Sequence, residues 1–127
     1  MLLLDTHAVV WSLLGTARLS SNARNAIEAS DSVVFVSMAS IWEIAIKVGK
    51  SKWPEAEPVL GTIEAHLTRL QFRLLPITIP HVRAAGLMQS DHRDPFDRIL
   101  AAQATIERLK LVTKDPTVQG LVTDWLW

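Results

Sequence analysis

The chain alternates between short apolar runs and segments of helical period, and polar or bend-forming residues fall at the hand-overs. Leu2–Leu4 is a run of three leucines stopped by an acid, the pattern of a strand covered on both faces. Thr6 follows as a cap for a helix running through Trp11 to Leu14, which Gly15 ends. Ser20 and Ser21 start a second helix over residues 22–29. The β-branched and aromatic run Val-Val-Phe-Val at 33–36 predicts a second strand. Ser37 closes it and opens a helix to about Lys50. That helix is apolar nearly all round (Met38, Ile41, Trp42, Ile44, Ala45, Ile46, Val48), which predicts that most of its faces are buried.

After a turn-rich connection at 51–58, Leu60, Ile63, Leu67 and Leu70 recur at helical spacing and predict a helix over 59–72. Residues 74–79 read as a third strand, at an edge or irregular because Pro76 lies within it. Pro80 suits the first turn of a helix to about Gln89. A polar loop at 90–93 leads to Asp94 as cap and Pro95 as first-turn residue of a helix ending at Glu107. Residues 109–113 form a fourth strand, and 121–123 are a candidate fifth. Strands separated by helices predict an α/β fold, with a mainly parallel central sheet of four or five strands flanked by helices in three layers.

No repeat, low-complexity tract or linker interrupts this pattern, so residues 1–127 read as one domain. No apolar run approaches the roughly 18–20 residues of a membrane span, and the start of the chain lacks the basic segment of a signal peptide. Zero cysteines exclude disulfides and thiolate metal sites and fit a reducing cytoplasm. Thirteen basic side chains balance thirteen acidic ones. Zero net charge argues against a nucleic-acid binder unless several acids are gathered round a cation, which leaves the remaining surface basic.

The acids fall where that condition is met. Asp5 ends strand one, Glu43 lies in the second turn of the helix after strand two, Asp97 in the first turn of a later helix, and Asp115 two residues past strand four. In an open parallel sheet all of these positions lie beyond the strands' carboxyl ends, on the edge where such folds bind ligands. Clustered carboxylates repel one another unless a cation compensates. Oxygen ligands without His or Cys partners favour Mg²⁺ or Mn²⁺, and phosphodiester hydrolysis is the chemistry that suits such an ion. Each acid also has a plainer explanation. Asp5 could cap a helix, Glu43 and Lys47 are spaced as an i,i+4 ion pair, Asp94 precedes Pro95 as a cap, and Asp115 stands in a turn before Pro116. The four histidines lack ligand spacing, and only His7 and His92 share the acidic edge, where they are candidates to support a metal ligand or touch substrate, with a purely structural role the simpler reading.

Four blocks in series then resemble PIN-domain proteins, and within them the VapC-type toxins of bacterial toxin–antitoxin pairs. They are Leu3-Leu-Asp-Thr-His-Ala-Val-Val-Trp11, Val36-Ser-Met-Ala-Ser-Ile-Trp-Glu-Ile-Ala-Ile-Lys47, His92-Arg-Asp-Pro-Phe-Asp-Arg-Ile-Leu-Ala-Ala-Gln-Ala104 and Leu111-Val-Thr-Lys-Asp115. The resemblance implies a PIN-like fold and Mg²⁺- or Mn²⁺-dependent endoribonuclease activity, with Asp5, Glu43, Asp97 and Asp115 as metal-site acids. It also implies that Asp94 is an additional acid of one branch, and that Thr6, Ser37 and Thr113 are hydroxyls near the metal. The implied partners are RNA, a small antitoxin protein that occupies the acidic groove, and a second copy of the chain. The expected arrangement has Asp5 and Asp97 holding the principal ion, Glu43 and Asp115 completing the shell, and Lys47, Arg93, Arg98 or Lys114 contacting the RNA backbone. Two rival readings are a phosphatase with an N-terminal nucleophilic aspartate and a non-catalytic acidic pocket for a partner's arginines. The first expects an acid two residues after Asp5, where His7 stands.

Overall fold

The computed structural model describes residues 1–127. Five strands, β1 (Leu2–Leu4), β2 (Val34–Ser37), β3 (Arg73–Leu75), β4 (Lys110–Val112) and β5 (Trp125–Leu126), form one sheet in the order β3-β2-β1-β4-β5. Every pairing is parallel. The helices are α1 (Thr6–Leu14), α2 (Ser21–Glu28), α3 (Met38–Gly49), α4 (Glu57–Gly61), α5 (Ile63–Leu70), α6 (Ile79–Leu87), α7 (Pro95–Ile106) and α8 (Pro116–Gln119), with a 3-10 turn at Pro54–Ala56. None is long and apolar enough to cross a membrane.

The alternation of strand side chains makes this an α/β fold of three layers. Leu2, Leu4, Val34, Val36 and Val112 face a core completed by Val9, Leu13, Ile44, Val59 and Ile63. Leu3 and Leu111 face the other way, onto Leu100, Ala104 and Val118. The central strand β1 is thus buried on both faces, as its uninterrupted leucines predict.

Topology then selects one crevice. The chain builds outward from β1 to β2 and β3, then returns to the far side of β1 to lay down β4 and β5. The connections that leave β1 and β4 pack on opposite faces, since α1 contributes to the first core and α8 to the second. They part at the switch point of the strand order, where open parallel sheets bind ligands.

Several boundaries differ from the sequence pattern. Asp5, not Thr6, caps α1: its Oδ1 accepts from Ala8 N at 2.8 Å, and this frees Thr6 to turn inward. The helix expected over 59–72 is broken at Thr62, whose hydroxyl donates back to the Pro58 carbonyl at 3.1 Å. Strand β3 stops before Pro76, whose carbonyl instead accepts from Gln103 Nε2 at 3.2 Å. The fifth strand is formed by Trp125 and Leu126 rather than residues 121–123. Helix α3 is less covered than its composition predicts, because Met38 and Trp42 keep 41% and 62% of their surface exposed.

Candidate active site

Eight polar or charged side chains are buried, and six of them, Asp5, Thr6, Ser37, Ser40, Glu43 and Thr113, belong to the carboxyl ends of β1, β2 and β4 or to the helix turns just beyond. Burying polar groups costs stability unless they are partnered. The partners here are one another. Thr6 Oγ1 donates to Glu43 Oε1 at 2.6 Å and lies 3.2 Å from Ser40 Oγ. The second Glu43 oxygen pairs with Lys47 Nζ at 3.0 Å. The expected i,i+4 pair therefore forms, but around a glutamate that is 7% exposed, not as a solvated surface bridge.

Asp5 is 8% exposed. Desolvation pushes its carboxyl above the ordinary range, against the Thr113 hydroxyl, the Ala8 amide and the charge of His7, while the charge of Glu43 raises it further. Asp97 enters from the first turn of α7. Burial is the main cause that raises it to about 6; the His92 hydrogen bond opposes this, and the charges of Asp94 and Glu43 add to the rise. Glu43 is therefore close enough for its charge to act on both Asp5 and Asp97. No lysine or arginine stands within ion-pair distance of Asp5 or Asp97.

Asp115 is the outlying member. It caps α8, with Oδ1 accepting from Thr117 N at 2.9 Å and Thr117 Oγ1 at 2.7 Å, and these bonds hold its carboxyl below the ordinary range. Its link to the cluster is His92, whose charge also lowers it. Asp94 caps α7 through Phe96 N and Asp97 N, at 2.9 and 3.3 Å. Ser37 caps α3 through Ala39 N at 3.0 Å. The structural explanations for Asp94, Asp115 and Ser37 are thus real, and each side chain still lies on the acidic edge.

Two residues have roles more definite than the sequence pattern disclosed. His92 Nε2 lies 2.7 Å from Asp97 Oδ2, so a histidine five residues earlier orients this acid. Arg98 bonds four backbone carbonyls: Ala85 (2.9 Å), Met88 (2.6 Å), Ser90 (3.3 Å) and His92 (2.9 Å). It secures the 85–92 segment, including the loop that carries His92, and its guanidinium is committed to that task instead of being free for phosphate. Arg93 lines a cleft with Val82, Gly86 and Ile99 that none of the acids lines, and Lys114 is exposed beside Asp115.

A divalent ion fits these residues in charge and donor type: hard oxygens, of which Asp5 and Asp97 are desolvated and have no lysine or arginine of their own. No three His, Asp or Glu side chains form a ready-made cage. Mg²⁺ does not require one, because it is usually held through one or two carboxylates, with waters and phosphate oxygens completing the shell. A concavity of about 560 Å³, lined by Trp11, Ile27, Val33, Phe72 and Arg73 among others, lies at the opposite end of the strands and shares none of these acids.

The PIN domain family matches residues 2–119. The chain is a PIN-domain protein. Its VapC affinity follows from Ribonuclease VapC22 of Mycobacterium tuberculosis, to which it is 35% identical over 115 residues, covering 89% of this chain and 85% of that one. Solved structures share the fold. FitAcB from Neisseria gonorrhoeae superposes with a TM-score of 0.65 at 21% identity, covering 99% of this PIN domain and 97% of the other chain. VapBC2 from Rickettsia felis, bound to a fragment of its promoter, gives 0.66 at 17% over 97% and 96%. A toxin–antitoxin complex from Klebsiella pneumoniae gives 0.64 at 19% over 100% and 97%.

Proposed function

We propose that this VapC-type PIN domain, acting as one unit over residues 1–127, is a metal-dependent endoribonuclease and the toxin of a toxin–antitoxin pair. The observation that carries the reading is the pair Asp5 and Asp97. They come from opposite ends of the chain, are desolvated at one strand edge, are both raised by the charge of Glu43, and have no lysine or arginine as partner. A bound Mg²⁺, or Mn²⁺ in its place, supplies Lewis-acid stabilisation of phosphoryl charge and acidifies water. Asp5 and Asp97 would hold it, with Glu43 and Asp115 as further oxygen donors. Thr6 fixes Glu43, and His92 orients Asp97. Thr113 steadies the charged form of Asp5, and Lys47 and Lys114 are placed at the rim to meet the RNA backbone.

The antitoxin assignment is supported by the toxin–antitoxin complexes among the structural neighbours. A homodimer is supported by exposed apolar side chains on α3 and α6, Met38, Trp42, Ile79 and Val82, with Trp42 packed edge-on against Phe96 at 5.2 Å. A chain without cysteines suits the cytoplasm.

The test is Asp5→Asn assayed on defined RNAs with Mg²⁺, Mn²⁺ or EDTA. Asparagine caps a helix as well as aspartate does, so the variant keeps the fold but loses cleavage. Cleavage by the variant at the parent rate, or parent cleavage undiminished in EDTA, overturns the proposal.

A further inference from the structure

His7 is the one exposed side chain between Leu2 and Val10. Its imidazole lies on two indoles, Trp53 at 4.9 Å between ring centroids and Trp11 at 5.4 Å, tilted by 43° and 48°. Both supports are themselves fixed. Trp53 is 8% exposed, and its Nε1 donates to Glu55 Oε1 at 3.2 Å, which also receives Arg18 at 2.7 Å. Trp11 packs on Trp127 at 5.9 Å. Lys47 Nζ sits 5.4 Å from the Trp53 ring centre while holding Glu43. A flat, exposed ring on a rigid aromatic floor, with a cation beside it, thus stands next to the acidic centre. The Cα atoms of Asp5 and His7 are separated by no more than about 7.6 Å, the span of two peptide units.

The two indoles are not needed to hold the carboxylates, since Asp5 is bonded by Ala8 and Thr113 and Glu43 by Thr6 and Lys47. An imidazole presented in this way matches a nucleobase, because unstacked bases in RNA are held on aromatic and histidine rings. Building on the nuclease reading, we propose that His7 is a base-stacking platform for an unpaired nucleotide flanking the cleaved phosphate, and hence a specificity-determining residue. A base inside a duplex is already stacked on both sides and cannot use the platform. An unpaired one can, with Lys47 near its phosphate. Stacking tolerates every base, so the platform selects for single-strandedness more than for sequence.

The experiment measures binding of the EDTA-treated protein to three 5′-labelled RNAs of equal length: an unstructured strand carrying 2-aminopurine, the same strand with abasic sites, and a duplex. For the unstructured strand, His7→Ala weakens binding about ten- to a hundredfold, the range expected on losing one stacked base. His7→Phe, which keeps the ring, stays within about threefold of the parent and retains 2-aminopurine quenching. For abasic RNA, parent and His7→Ala bind alike. Equal binding of the unstructured strand by parent and His7→Ala overturns the platform, as does an equal loss on abasic RNA. If the parent both fails to bind any of the three and fails to cut RNA with Mg²⁺, the nuclease reading falls and the platform with it.

Discussion

Replacing Asp97 by asparagine in the metal-free protein should stabilise it at neutral pH. Its carboxyl is raised from 3.8 to about 6, mainly by burial. The native state therefore binds this proton more tightly than the unfolded chain does. Between about pH 4 and 6 the unfolded chain has lost the proton while the folded one keeps it, so stability falls as pH rises through that window. Above pH 6 the full penalty is in place. The gap corresponds to about 3 kcal/mol, and solvent reaching a side chain that keeps 20% of its surface trims it to about 1–2 kcal/mol. Asparagine retains an acceptor for His92 without the charge. In urea unfolding with EDTA at pH 7.5, Asp97→Asn should exceed the parent by that amount, or about 4–7 °C in thermal midpoint. The difference should shrink as pH falls and vanish below about pH 4. Added Mg²⁺ should reverse the order, because only the parent gains from ion binding. A variant no more stable than the parent at pH 7.5 in EDTA would refute the reasoning, and so would a gain of the same size at pH 4.5.

Further outcomes follow from the loop and the core. Arg98→Lys keeps the charge but cannot reach four carbonyls at once, so it should cost at least about 2 kcal/mol in urea unfolding. It should also speed amide exchange in residues 88–92, and parent-like exchange there would remove the staple. Leu100→Ala empties a fully buried position against Leu3 and Leu111 and should cost about 3–4 kcal/mol by chemical denaturation.

The sequence exposed most where one residue type does one job. Three leucines ended by Asp5 declare both the central strand and its terminal acid, because a both-faced strand tolerates no polar residue until it leaves the core. Glu43 was legible as an acid in an apolar helix, and Asp97 as an acid one turn past a cap that was already filled. Strand ends were harder. Strand β5 is only two residues long, and its Trp125 is partly exposed, so pattern alone favoured the more apolar 121–123. Helix α3 misled in the opposite direction: Trp42 and Met38 look like core in a list of residues, yet lie on an uncovered face. Arg98 looked like a phosphate ligand beside Asp97. Its real task arises because the loop after α6 leaves carbonyls bare, a need that appears only in three dimensions. His92 was obscure for the same reason, since its bond to Asp97 depends on how that loop folds back.

The order in which the sheet is laid down has a consequence for a ribosome synthesising this chain. β1 is made long before its neighbour β4, and the Asp5 amide donates to the Val112 carbonyl at 3.0 Å. The crevice between them cannot close until residues 5–109, which separate the two strands, and β4 itself have been translated. A nascent or prematurely terminated chain therefore carries Asp5 and Glu43 without the far wall. On the proposed nuclease reading, cleavage therefore begins only once β4 has joined the sheet.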